Sequence, residues 1–123
     1  MDSGGLYEEM YDKLILSPGA APVRPPLEGI DTEGIFTLRN VNDTDRVKEY
    51  IEEHDVKRAL IVGAGFIGLE MAENLHEYGI QVSVVEMADQ VMTPVDYEIA
   101  TSVHQLFKSK GVGLHLQEAV TAF

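Results

Sequence analysis

Three glycines in the run LIVGAGFIGLE, Gly63, Gly65 and Gly68, follow a β-rich stretch and precede helix-forming residues. That spacing can do chemistry without a catalytic side chain. A strand that turns into a helix through GxGxxG offers an anion unpaired backbone N–H groups and the positive end of a helix dipole. The three glycines serve different ends: Gly63 allows the tight turn, Gly65 the close approach of backbone to a pyrophosphate, and Gly68 the close packing of helix on strand. A site of this kind also needs an acid at the end of the next strand, to accept hydrogen bonds from ribose hydroxyls. Glu86 closes VSVVE 18 residues after Gly68. Both halves of a dinucleotide fingerprint are therefore present. The plain alternative is a structural turn whose glycines serve packing, with Glu86 a solvated strand end. A 2′-phosphate would lie against Glu86 and near Asp89, with no Lys or Arg in MADQV to offset the repulsion, so NAD(H) is expected over NADP(H).

The elements that must position these residues are legible as an alternation. ALIV reads as a strand buried on both faces, and FIGLEMAENLHEY as a helix with Ile67, Met71, Leu75 and Tyr78 at helical spacing, capped by Gly79. IQVSVVE is a second strand. A polar loop with Thr93 and Pro94 leads into a second helix, DYEIATSVHQLFKSKG, whose stripe is Ile99, Val103, Leu106 and Phe107, and VGLHLQ is a third strand. This is an α/β fold, the βαβαβ half of a Rossmann-like parallel sheet, expected to be truncated where a fourth strand begins near Phe123. Upstream, Leu14 to Leu16 read as a short N-terminal strand, and the four prolines from Pro18 to Pro26 as a stiff connector. GIFTL (34–38) is a further expected strand, and a helix is expected from Asp43 to His54, with Val47, Tyr50 and Ile51 on one face.

Composition narrows the function classes. With 45% hydrophobic and 24% charged residues the 123-residue chain reads as one soluble domain with an appendage. No apolar run approaches the roughly 20 residues of a bilayer span, and the start shows no signal peptide, so cytoplasmic residence with no membrane partner is expected. A net charge of −12, with nine Lys and Arg spread along the chain, argues against nucleic-acid binding. The absence of Cys removes thiolate, disulfide and cysteine-ligated metal chemistry. His54, His76, His104 and His115 have no metal-ligand spacing, so no metal site is expected, and His76 and His104 read as partly exposed helix residues. Glu8, Glu9, Glu52 and Glu53 read as solvated acids, and Met71, Met87 and Met92 as core and loop packing. The GxGxG turn of methyltransferases is disfavoured, because position 67 is Ile.

The stretches YDKLILSPGAAP and ALIVGAGFIGLEMAENLHEYGIQVSVVEMADQVMTPVDYEIA together resemble the middle of the FAD-dependent pyridine nucleotide-disulfide oxidoreductases. The resemblance is nearest to the coenzyme A-disulfide reductase, NADH oxidase and NADH peroxidase branch. It implies NADH binding at Gly63, Gly65, Phe66, Ile67, Gly68 and Glu86. Phe66 stands where the family usually has a flavin-shielding Tyr, and Glu70 matches a glutamate near the nicotinamide; both are expected gating residues, with no catalytic residue in this chain. Ser17, Gly19 and Ala20 match the end of the FAD domain, near the flavin nucleotide. Residues 1–40 are then the tail of that domain and a connector, and residues 41–123 a NAD-binding Rossmann domain incomplete at its C-terminal end. The opening MDSGG reads as an added or misassigned start. The implied partners are the remaining FAD and dimerisation domains of a parent enzyme that is a homodimer; the chain by itself is expected to be inactive. The rival reading is a non-catalytic nucleotide-sensing Rossmann module, which has no use for a flavin-domain tail.

Overall fold

The computed structural model describes residues 5–6 and 8–123, and the opening MDSGG lies outside the described residues except for Gly5. The alternation expected from the sequence forms as α1 (Val41–His54), β1 (Arg58–Val62), α2 (Phe66–Glu77), β2 (Gln81–Glu86), α3 (Tyr97–Lys110) and β3 (Gly113–Leu116). The three strands make one parallel sheet in the order β1-β2-β3, with Leu60 opposite Ser83, Val62 opposite Val85, and Val85 opposite His115.

Local chemistry sets the helix ends. The helix expected from Asp43 begins two residues earlier, because Asn40 and Asp43 form a capping box: the Asn40 side chain accepts the Asp43 N–H, and the Asp43 carboxylate accepts the Asn40 N–H at 3.1 Å. Helix α3 ends at Gly111, whose φ of +80° suits glycine, and whose N–H donates back to the Phe107 carbonyl.

The core lies between one face of the sheet and helices α2 and α3. Val82 and Val84 of β2 meet Leu69, Ala72 and Leu75 of α2 and Ala100 and Phe107 of α3, with Val91 from the connecting loop. Fully burying a side chain of valine size contributes about 1.5–3 kcal/mol, and Val82, Val84 and Val91 are all buried in this way.

The sequence pattern places only half of each covered face: Met71, Leu75, Val103 and Phe107 of the expected stripes do pack on the core. Ile67 of α2 and Tyr78 at its C-cap are exposed, and the buried face is Leu69, Ala72 and Leu75; in α3, Ile99 and Leu106 are exposed, and Ala100 and Phe107 are buried. Strand β1 is buried on one face only: Ala59 and Ile61 pack on the core, whereas Leu60 and Val62 are each 54% exposed on the opposite face. No residue of α1 is buried; only Ile51 reaches the core. Met71 and Met92 pack against the core as expected, but Met87 stands 77% exposed.

Three expected strands do not form. Leu14 to Leu16 are exposed and unpaired, because an extended segment becomes a strand only when another backbone completes its ladder. GIFTL forms turns and irregular backbone. At the C-terminal end a single parallel bridge joins Ala122 to Glu28, with the Phe123 N–H donating to the Glu28 carbonyl at 2.8 Å, in place of a fourth strand.

Candidate functional site

The turn between β1 and α2 lies at the C-terminal edge of the sheet. The ladder runs into it, since the Gly63 N–H donates to the Val85 carbonyl at 2.8 Å. Gly63 then adopts φ +99°, a conformation that a side chain would strain, and this is the tight turn its position called for. A Cβ on Gly68 would stand 2.0 Å from the Gly63 carbonyl oxygen and 3.3 Å from Ile61 Cγ2, so the start of α2 rests on the turn at a distance only glycine permits. Gly65 differs from both: its φ is −75° and a Cβ there would meet nothing within 4 Å. Glycine at 65 is required neither by its own backbone nor by its protein neighbours, and what it keeps is open space above the helix end.

Gly65 is the N-cap of α2 and no side chain caps the helix. The first intrahelical bond is Leu69 N–H to Gly65 carbonyl at 3.0 Å, and the N–H groups of Phe66, Ile67 and Gly68 have no partner among the described residues. Exposed helix starts of this kind attract anions through both the free donors and the helix dipole.

Glu86, last residue of β2, turns its carboxylate back over this turn. Oε2 accepts the Ala64 N–H at 2.8 Å and Oε1 accepts the Ala88 N–H at 2.9 Å. These donors, Ala64 foremost, hold the carboxyl below its ordinary pKa, although partial burial pushes the other way. A carboxylate offers about four lone-pair directions, so acceptor capacity remains beside these backbone donors. Ala64 and Ala88 contribute through backbone N–H alone, which is why no side-chain pattern in the sequence could have singled them out.

The loop from Met87 to Asp96 closes the far side. The Met92 N–H donates to the Ala64 carbonyl at 2.8 Å, the Gln117 N–H to the Ala88 carbonyl at 2.9 Å, and the Gln90 side-chain amide to the Val95 carbonyl at 2.9 Å. Met92 holds φ +48°, an unfavourable conformation for its side chain.

The expected site residues fall into three places. Gly63, Gly65, Gly68 and Glu86 come together at the sheet edge. Phe66, Ile67 and Glu70 instead line a cleft of about 560 Å³ between α1 and α2, with Val47, Ile51 and Met71. This cleft is not the glycine turn, none of whose glycines lines it. Glu70 is the fifth residue of α2, so it lies beyond the first turn. Ser17, Gly19 and Ala20 are in the exposed N-terminal segment; Gly19 stands beside the Arg39 guanidinium, ahead of α1, and no backbone hydrogen bond joins it or Ala20 to the turn. Among the described residues no group of His, Asp and Glu could hold a metal ion, and no helix is long and apolar enough to cross a membrane.

Known proteins are similar to this chain in sequence and fold. The family model described as pyridine nucleotide-disulphide oxidoreductase matches residues 2–123. A coenzyme A disulfide reductase of Staphylococcus haemolyticus is 38% identical over 116 residues, which is 94% of this chain and 26% of that protein. Among solved structures, reduced CoADR-RHD of Bacillus anthracis superposes with a TM-score of 0.87 at 54% identity, covering 94% of this chain and 21% of the other. The water-forming NADH oxidase of Lactobacillus brevis, bound to NADH, superposes at 0.83 with 32% identity, covering 94% and 25%. An engineered form of that oxidase, bound to NADPH, superposes equally well. The chain thus spans about a quarter of the length of the proteins it matches.

Proposed function

Because this chain belongs to the pyridine nucleotide-disulphide oxidoreductase family, we propose that it is the NADH-binding part of a larger FAD-dependent enzyme. That enzyme would move hydride from NADH to FAD and on to a disulfide such as coenzyme A disulfide, to oxygen or to peroxide. The carrying observation is the joined turn and acid: an uncapped α2 start with open space at Gly65, bridged through Ala64 to the Glu86 carboxylate.

The residues fit a dinucleotide. Gly65 leaves room for a pyrophosphate against the free N–H groups of Phe66, Ile67 and Gly68, and Glu86 has acceptor capacity left for ribose hydroxyls. The side chains of Phe66, at the first position of α2, and Glu70, one turn on, point to the cleft beside α1 and would gate the nicotinamide end; Phe66 is 59% exposed and so available to a flavin-bearing neighbour. Bound NADH supplies the hydride; the chain supplies position, charge and exclusion of competing poses. Gly19 and Ala20 belong, on this reading, to the FAD side, within the residues 1–40 tail and connector. The NAD-binding part begins at residue 41, where α1 also begins. The missing partners are the rest of the FAD domain and a dimerisation domain of a homodimeric parent.

The choice of NADH over NADPH rests on charge. Glu86 is held ionised, and the residues after it bring no cation. The engineered NADPH-bound relative has an Asp replaced by Ala 18 residues after a Gly replaced by Ala, and the residue following that Asp replaced by Arg. Glu86 stands at the same separation from Gly68, and the residue after it is Met87.

Calorimetric titration of the chain with NADH and NADPH, with Gly65→Val as the blocked control, tests the proposal. Saturable NADH binding that is lost in Gly65→Val and weaker for NADPH is expected. No binding by a folded chain would leave the turn structural.

A further inference from the structure

The loop from Met87 to Asp96 carries the chain from Glu86 to α3, and it is held at two adjacent residues. The Met92 N–H donates to the Ala64 carbonyl inside the glycine turn, and the Val91 N–H donates to Nε2 of His104 at 3.2 Å. The second bond has unusual features. Val91 is completely buried, so its N–H has no solvent to turn to, and the acceptor is the side chain of a residue on α3, 13 positions away. An imidazole nitrogen that accepts is unprotonated, which leaves the other ring proton on Nδ1. The ring of Tyr97, two turns earlier on α3, meets the imidazole edge-on with centroids 6.2 Å apart and limits its orientation.

From this geometry we infer that His104 is a positioning residue for the dinucleotide site: it fixes the loop over the glycine turn and thereby sets the affinity for the adenosine half of the cofactor. The inference rests on the NADH reading above. His104 acts at one remove: it holds Val91, the next residue is bonded to Ala64, and Ala64 is bonded to the Glu86 carboxylate. If Val91 is released, Met92 keeps an unfavourable φ of +48° with one support fewer. The loop then gains freedom where the ribose and adenine must seat, and bound cofactor has to restrain it.

The test compares His104→Leu, His104→Asn and His104→Gln in the full chain. Gln places an acceptor oxygen at the reach of Nε2, Asn falls short of it, and Leu has no acceptor. Two readouts are needed. The first is nuclear magnetic resonance of the ligand-free protein: a through-hydrogen-bond coupling between the Val91 amide nitrogen and His104 Nε2 is expected, and its absence overturns the anchoring. The second is NADH affinity by calorimetry, expected to fall by about three- to thirtyfold in the Leu and Asn variants and to recover in Gln, with the thermal midpoint showing that each variant is folded. Wild-type affinity in folded Leu and Asn variants, or an equal loss in all three, overturns the positioning role. A wild-type chain that does not bind NADH refutes the reading of the site and the positioning role with it, while the coupling still decides whether His104 holds Val91.

Discussion

The carboxylate of Glu86 accepts the N–H of Ala64 across the gap between the ends of β2 and β1, at 2.8 Å. The proposed ribose acid is thus also a brace for the glycine turn, and its other oxygen holds the start of the following loop through Ala88. Glu86→Gln keeps the size of the side chain but turns an N–H₂ toward one of these donors. Leaving a part-buried N–H without an acceptor costs about 1–3 kcal/mol, so a lower denaturation midpoint is expected at neutral pH. The gap between wild type and variant should depend on pH. The folded pKa of Glu86 is depressed, so its contribution is full above the ordinary carboxylate pKa and is lost as pH falls through the lower, folded value. Urea midpoints of both proteins, measured stepwise from pH 7 into the acid range, should converge only at the acid end. A gap that stays constant down to pH 3 would show that the charge of Glu86 contributes nothing.

Gly65 and Gly68 are three residues apart and should respond oppositely to the same substitution. At Gly68 a methyl group meets the Gly63 carbonyl at 2.0 Å, and that backbone oxygen cannot swing away as a side chain could. Overpacking of this type costs about 1–3 kcal/mol, relieved in part by displacement of the α2 start. At Gly65 the methyl enters open space with a backbone any residue can adopt. Thermal melts should therefore show a clear loss for Gly68→Ala and a change within about 0.5 kcal/mol for Gly65→Ala. NADH binding should nonetheless weaken in Gly65→Ala, where the methyl occupies the pyrophosphate's space. A Gly65→Ala protein that melts early would mean that this glycine serves the fold.

Helix α1 has no buried residue, and its capping box is a local support at its start. Asn40→Ala removes the acceptor for the Asp43 N–H, a change that costs about 1 kcal/mol at a typical N-cap. Hydrogen exchange of the α1 amides is expected to speed up while that of β2 stays unchanged. Equal acceleration in both would show that α1 is coupled to the whole fold.

What the sequence disclosed follows from where each signal resides. Gly63 and Gly68 announce a turn because backbone conformation and close approach admit no other residue, and the alternation of strands and helices is written in short local periods. Which face of each element is covered is not local. Ile67, Tyr78, Ile99 and Leu106 continue an apolar stripe yet stay exposed, and beside Leu75 and Phe107 the buried contacts run through Ala64, Ala72 and Ala100, whose small side chains barely mark a hydrophobic pattern. Leu14 to Leu16 have strand composition without a pairing partner among the described residues. At the site, the acid and glycines were legible by type and spacing, but the bonds that join them run through the amides of Ala64, Ala88 and Met92, where residue type carries little information.

Cofactor preference can be moved by charge, and the brace role of Glu86 dictates how to do so. Met87→Arg alone keeps both Glu86 bonds and places a guanidinium at a position whose side chain is 77% exposed, with room to reach a 2′-phosphate. The cation would still share its ligand with the Glu86 carboxylate, so only a modest gain in NADPH affinity is expected. Adding Glu86→Ala removes the repelling charge and the ribose acceptor together, which should weaken NADH and strengthen NADPH. Two unit charges about 4 Å apart interact by about 1–4 kcal/mol between water and a protein surface, enough to shift the ratio of the two Kd values by about tenfold or more. The same change leaves the Ala64 and Ala88 N–H groups without their acceptor, so the double variant should also melt earlier than Met87→Arg. Calorimetry with both cofactors on the two variants, each shown to be folded at the temperature used, separates the effects. A ratio unmoved in the double variant would place the 2′-hydroxyl somewhere other than beside Glu86.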